Sequence, residues 1–215
     1  MKAQTELFIS VPISTLHFEQ QAQVRGYRAI AGIDEAGRGP LAGPVVAAAV
    51  ILPEEFELPG LTDSKQLSAT ARERLYPLIR AQALAVGIGV ARAEEIDRIN
   101  ILQATLRSMQ RAVGRLAVPA DFLLIDGNVP VPLPLPQQTL VKGDSRSLSI
   151  AAASVVAKVV RDRIMTTYDR LFPGYGFASH KGYGSDAHRR AIAQLGPSPC
   201  HRRTFGGVRE HCSAP

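Results

Sequence analysis

Four acidic residues stand where ordinary surface charge is out of place. Asp34 and Glu35 close one apolar run, Asp126 closes another, and Asp144 lies just ahead of a long stretch rich in Ala and Val. A carboxylate ending a buried strand loses its hydration, and several converging carboxylates repel one another, unless hydrogen bonds or a cation compensate. An oxygen-rich site of this kind suits Mg2+ or Mn2+. Taken singly, each acid has a plainer role: Asp144 as a helix N-cap, Asp126-Gly127 as a turn pair. It is the set that points to metal chemistry.

Other residues surround these acids in sequence. Gly37-Arg38-Gly39 follows the first pair directly, and glycines there let the backbone approach a substrate with its N–H and C=O groups exposed; the plain alternative is a tight turn. Tyr183 sits in the glycine-rich segment His180–Gly184, where an aromatic ring either packs or stacks on a sugar or base. Ser64 and Lys65 can bind backbone phosphate. Lys142, Arg146, Lys158, Lys181, Arg202 and Arg203 add positive charge, each read individually as solvated surface charge. His180, His188 and His201 have no partners visible in sequence, and none is assigned to catalysis.

The elements that must position these groups follow from periodicity. Residues 1–26 show no sustained period and read as an N-terminal arm, whereas Tyr27–Ile33 and Val45–Leu52 read as strands joined by a Gly/Pro-rich loop. The capping-box spacing of Thr70 and Glu73 places a helix start near Ser68, with Pro77 a site for a kink, and Val86–Val90 offers a third strand. From Glu94 the pattern turns helical and ends before Pro119, with Ile101, Leu102, Thr105, Leu106, Met109, Val113 and Leu116 on one face. Phe122–Ile125 and Gln138–Val141 read as strands on either side of a Pro-rich loop. Ser147–Leu171, without breakers and with many small residues, reads as a central buried helix. Pro173–Gly184 reads as a loop, and Ser185 caps a short helix that stops at Gly196-Pro197.

Composition bounds the rest. A chain of 215 residues with 46% hydrophobic and 20% charged residues is ordinary globular material, with one main domain expected. Lys+Arg number 25 against 19 Asp+Glu, and the resulting net charge of +6 favours an anionic partner. Cys200 and Cys212 give neither a disulfide framework nor paired zinc-ligand spacing, which fits a reducing compartment. Met1–Arg25 lacks the pattern of a signal peptide, and Ala42–Leu52 is far short of the roughly 20 apolar residues of a membrane span; cytoplasmic location and no membrane association are expected.

The motifs as an ordered set resemble the ribonuclease HII family over roughly residues 27–205. Gly32-Ile33-Asp34-Glu35-Ala36-Gly37-Arg38-Gly39-Pro40-Leu41-Ala42-Gly43-Pro44-Val45 is similar to the family signature, and Thr62-Asp63-Ser64-Lys65-Gln66-Leu67-Ser68 to its second block. Asp126-Gly127-Asn128, Val141-Lys142-Gly143-Asp144, the run Ser147–Lys158 and His180-Lys181-Gly182-Tyr183-Gly184 follow in the family's order. The resemblance implies an α/β, ribonuclease H-like fold, a mixed central β-sheet flanked by helices, with a C-terminal helical extension. The expected division of the chain is an arm 1–26, a ribonuclease H-like catalytic domain 27–196 that includes the C-terminal helices, and a tail 197–215. The resemblance further implies a four-acid site of Asp34, Glu35, Asp126 and Asp144 holding two divalent ions, Mn2+ or Mg2+. About 3.5–4 Å apart, such ions activate a water and stabilise the leaving 3′-oxygen.

The implied activity is endonucleolytic: cutting the RNA strand of RNA–DNA hybrids and nicking 5′ of ribonucleotides embedded in duplex DNA, with 5′-phosphate and 3′-hydroxyl products. In the family Gly37, Arg38 and Gly39 would contact the 2′-hydroxyl, the group that separates RNA from DNA, and Tyr183 would stand at the RNA-to-DNA junction. A monomer acting on nucleic acid is expected. The sequence departs from the family at its closing block, where His201-Arg202-Arg203-Thr204-Phe205 runs into Gly206-Gly207-Val208 and unsettles the C-terminal packing. The arm is too short for the N-terminal domain of ribonuclease HIII. Two rivals from other classes are a basic nucleic-acid-binding protein whose acids are only turn residues, and a metal phosphatase of small esters.

Overall fold

The computed structural model describes residues 16–212. Five strands form one mixed sheet in the order β3-β2-β1-β4-β5: β1 (Ile30–Ala36), β2 (Val45–Ile51), β3 (Ala85–Ala91), β4 (Phe122–Asp126) and β5 (Gln137–Leu140). β1 pairs antiparallel with β2 and β2 with β3, while β4 runs parallel to β1 and to β5. The helices are α1 (His17–Val24), α2 (Ala69–Gln82), α3 (Ala93–Val113), α4 (Leu148–Leu171), α5 (Phe177–His180) and α6 (Asp186–Leu195). No described helix is long and apolar enough to cross a membrane.

Strand alternation divides the core into two layers. Ala31, Ile33, Ala47, Ala49, Ile51, Leu123 and Ile125 turn to one face and pack on Leu106, Met109 and Ala112 of α3. Ala48 and Val50 turn to the other face and pack on α4 and α2 through Val155, Val156, Leu75 and Ile79. α4 lies close because its sheet-facing residues are small and because Gly32 has no side chain: a Cβ there would overlap the backbone of Ser149 and Ile150. On the opposite face, a Cβ on Gly87 or Gly89 would strike the Ala112 or Ser108 carbonyl of α3.

Several boundaries differ from the sequence reading. β1 begins at Ile30 and runs through Ala36, so Asp34 and Glu35 lie within the strand, not beyond its end. α2 starts where expected, capped by the Ser68 hydroxyl accepting from Ala71 N–H, but Pro77 sits inside a continuous helix. α3 stops at Val113 and is broken at Asn100, whose φ of 65° interrupts the helix and whose side chain accepts from Gln103 N–H (3.1 Å) to cap the second segment. The expected loop 173–184 contains the short helix α5.

The arm and the tail also differ from expectation where they are described. Residues 17–24 form α1, whose Glu19 reaches the N-terminus of α4 and accepts from the hydroxyls of Ser147 (2.6 Å) and Ser149 (2.7 Å) and from Ser149 N–H (3.0 Å). The stabilising partners are about 130 positions away in the chain, beyond the reach of any local pattern. Beyond Gly196 the chain folds back: Cys200 carbonyl accepts from Gly43 N–H (2.8 Å), His201 bridges Ala42, and Val208 is fully buried. Residues 1–15 and 213–215 lie outside the described residues.

Candidate active site

Parallel pairing of β1 with β4 aligns Ile33 with Ile125, so the next residues, Asp34 and Asp126, stand side by side. Ile33 and Ile125 face α3, which by alternation turns both aspartates toward α4. Asp126 then fixes the third acid: its Oδ1 accepts from Gly143 N–H (2.7 Å) and draws in the 3-10 turn Gly143–Ser145 that carries Asp144. The outcome is a cluster in which Asp34, Asp126 and Asp144 each offer an oxygen within 4.8 Å of the others.

Glu35 is not in that cluster. One residue beyond Asp34, it lies toward the opposite face of the strand and pairs with Arg38 at 3.5 Å. It borders the group nonetheless. Burial raises its pKa, Arg38 pulls it down, and the Asp126 charge pushes it up again, for a net rise. Asp34 is 3% exposed, and burial, followed by repulsion from Glu35 and Asp126, holds its carboxyl well above the usual range. Asp144 is likewise raised, first by burial and then by Asp126, against the hydrogen bond from Lys65. Three crowded carboxylates, two of which, Asp34 and Asp144, have their ionised forms disfavoured, are a donor set that fits a divalent cation.

Lys65 supplies part of the missing positive charge, its Nζ donating to Asp144 Oδ2 at 2.9 Å. Burial opposes its charge, but the bond to Asp144 and the fields of Asp144, Asp34 and Asp63 prevail and raise its pKa. Its neighbour Ser64 is turned inward, 5% exposed, with its hydroxyl on Ser154 Oγ (2.7 Å) of α4. That bond moors the segment carrying Lys65 to the helix behind the cluster.

Beside the acids, Arg38 and Gly39 are exposed, and Gly37 is buried with φ at 100°, a conformation that glycine adopts freely. Tyr183 is 49% exposed and borders this loop: a Cβ on Gly39 would lie 3.9 Å from its ring. The structure thus brings the Gly37–Gly39 loop and Tyr183 to one rim.

Two features of that rim escape sequence reasoning. Arg202, read as solvated charge, is fully buried, and Arg161 is 1% exposed. Under the Tyr183 loop the half-buried His180 stacks on the buried His188, whose ring meets that of the buried His201 at a tilt. Ser198 N–H donates to His201 Nδ1 (2.9 Å), which leaves His201 Nε2 to donate to His188 Nε2 (3.0 Å) and His188 Nδ1 to donate to the Tyr183 carbonyl (2.8 Å). The only sequence signal was the concentration of histidines in one third of the chain, which says nothing of their order.

The sequence profile of the family described as Ribonuclease HII matches residues 31–208. The chain belongs to the ribonuclease HII family. It is 70% identical over 206 residues to the Ribonuclease HII of Syntrophotalea carbinolica, covering 96% of this chain and 99% of that one. Against the Ribonuclease HII of Geobacter sulfurreducens it is 66% identical over 194 residues, covering 90% and 89%. Among solved structures it is similar to ribonuclease H2 from Pyrococcus horikoshii, with a TM-score of 0.71, 26% identity and coverage of 85% of this chain and 96% of that one. It is similar also to the RNase HII of Archaeoglobus fulgidus solved as a complex with PCNA, with a TM-score of 0.69, 28% identity and coverage of 83% and 95%. As a member of the ribonuclease HII family the protein is a metal-dependent endonuclease acting on nucleic acid, which removes the two rivals of other classes. The expected α/β fold with a mixed, helix-flanked sheet is the one observed.

Proposed function

We propose that this ribonuclease H cuts the RNA strand of RNA–DNA hybrids and nicks 5′ of single ribonucleotides in duplex DNA, leaving 5′-phosphate and 3′-hydroxyl ends. The observation that carries the reading is the convergence of Asp34, Asp126 and Asp144 within 4.8 Å, next to the rim of Gly37–Gly39 and Tyr183. These three aspartates, with Glu35 at the margin, would hold the cofactor, two Mg2+ or Mn2+ ions. Divalent ions bound there supply water activation and stabilisation of the leaving 3′-oxygen.

The chain's own residues do the rest. The backbone of Gly37, Arg38 and Gly39 meets the 2′-hydroxyl of the ribonucleotide beside the cut, and Tyr183 stacks on the sugar at the junction. Lys65, exposed at the rim and bonded to Asp144, would be within reach of the substrate's phosphate backbone when bound ions neutralise the cluster. Ser64 serves by holding that segment in place.

The deciding experiment incubates a duplex containing one ribonucleotide with Mg2+, Mn2+ or chelator and maps the nick. A single cut 5′ of the ribonucleotide with either cation, and none with chelator, is expected. Cutting elsewhere, or an intact duplex beside a cleaved continuous hybrid, would overturn the embedded-ribonucleotide reading.

A further inference from the structure

Two guanidinium groups are buried beneath the rim without an acidic partner among the described residues. Arg202 donates through Nε to the Gly43 carbonyl (3.0 Å), through one terminal nitrogen to the Arg38 carbonyl (2.7 Å) and through the other to the Gly37 carbonyl. Arg161 of α4 donates to the carbonyls of Pro44 (3.0 Å), Lys181 (3.0 Å) and Ala42 (3.1 Å), and its guanidinium carbon lies 6.0 Å from the centre of the Tyr183 ring. Burial and the neighbouring Arg161 push the Arg202 pKa down to about 9. Holding two like charges here is unfavourable for stability, so neutral residues would serve a purely structural role better. Every fork points at main chain, and five of the six carbonyls belong to residues 37–44.

Peptide planarity turns this anchoring into a statement about the rim. No peptide bond among the described residues is cis, and in a trans unit the C=O of one residue and the N–H of the next point in opposite directions. With the Gly37 and Arg38 carbonyls directed inward to Arg202, the N–H groups of Arg38 and Gly39 are directed away from it. Both residues are exposed, and neither N–H has a partner among the described residues. By contrast, the N–H groups of Leu41 and Gly43 in the same loop are bonded, to Gly182 and Cys200.

We infer that Arg202 and Arg161 are positioning residues for substrate discrimination: by holding the loop carbonyls inward they present the Arg38 and Gly39 N–H groups to the sugar. Arg161, bonded also to Lys181, sets the loop against Tyr183. The inference rests on the reading that this loop senses the 2′-hydroxyl. A lysine keeps the charge at either position but has a single nitrogen and cannot span three carbonyls.

Binding is compared for a duplex with one ribonucleotide and the same duplex in all-DNA form, with chelator present so that no cut occurs. The wild-type protein should prefer the ribonucleotide by about tenfold, the effect of one or two hydrogen bonds. In Arg202→Lys and Arg161→Lys, whose folding is checked by cooperative melting, that preference should fall toward unity. Affinity for the all-DNA duplex should change less than about twofold, because phosphate contacts are untouched. A wild-type preference in folded variants would overturn the inference.

Amide hydrogen exchange in the wild-type protein gives a second test that needs no variant. Arg38 and Gly39 should exchange fast in the free protein while Leu41 and Gly43 are slow, and only the ribonucleotide duplex should slow the first pair. Slow exchange at Arg38 and Gly39 in the free protein overturns the anchoring. Fast exchange there, without protection or preference on adding the ribonucleotide duplex, supports the anchoring and overturns the 2′-hydroxyl reading instead.

Discussion

Asp34 carries two opposed consequences of burial, and exchanging one carboxylate oxygen for nitrogen separates them. Its folded pKa is raised, so relative to the unfolded chain the ionised form is disfavoured, and the stability it allows at low pH is lost as pH rises through the folded value. Asp34→Asn should therefore melt higher than the wild type in chelator at neutral pH, by something on the order of a few degrees. The gain should shrink in acid, where the wild-type carboxyl is itself protonated. The same substitution, like Asp126→Asn, should abolish cleavage while leaving hybrid binding largely intact; turnover retained in Mg2+ would remove these residues from the site. Tyr183→Ala should cut a single embedded ribonucleotide about tenfold more slowly, in keeping with stacking worth about 1–3 kcal/mol, at little change in melting temperature, and an unchanged rate would count against its role. The acids were legible because each interrupts an apolar run. Arg202 was not, because its partners are carbonyls about 160 positions earlier, and carbonyls leave no mark in a sequence.

At the scale of elements, the site depends on how closely α4 lies on β1. Asp144 is carried by the turn leading into α4, whose first residues rest on Gly32 two positions before Asp34. Gly32→Ala would push that end of the helix away and Asp144 with it. A stability loss of about 1–3 kcal/mol, typical of overpacking, should appear in the denaturant midpoint together with a fall in cleavage. Gly206→Ala, where a Cβ meets nothing within 4 Å, should change neither. If Gly32→Ala destabilises the fold and leaves cleavage at the wild-type rate, the approach of α4 does not set the position of Asp144. The strands and the long helices were legible because β1, β2 and β4 are short apolar runs buried almost throughout, β3 alternates, and the long helices carry apolar stripes of period 3.6. Such patterns failed where long-range contacts decide. α1 has few apolar positions and is held by Glu19 against Ser147 and Ser149, α5 spans only 177–180, and Asn100 breaks α3 where the apolar pattern continues.

For the molecule as a whole, the excess of 25 basic over 19 acidic residues acts against a cluster of buried carboxylates facing the substrate's own phosphates. That excess could be read from composition, but its arrangement could not, because two of the arginines that raise the count, Arg161 and Arg202, are inside and contact no phosphate. Attraction to duplex is then carried by the exposed lysines and arginines, and it must be independent of whether the sugar bears a 2′-hydroxyl. Counterion release makes such attraction fall linearly on a log–log plot of affinity against salt, with a slope set by the number of phosphates neutralised. Uncharged hydrogen bonds to a sugar contribute almost nothing to that slope. Titrating salt from low to physiological concentration should give parallel lines for the ribonucleotide duplex and its all-DNA counterpart, displaced by a constant ratio. Arg38→Gln should flatten neither line by more than about one unit, the share of a single phosphate contact. Lines that converge as salt rises would mean that the preference for ribonucleotide is electrostatic, which would move discrimination from the Gly37–Gly39 backbone to the basic side chains around it.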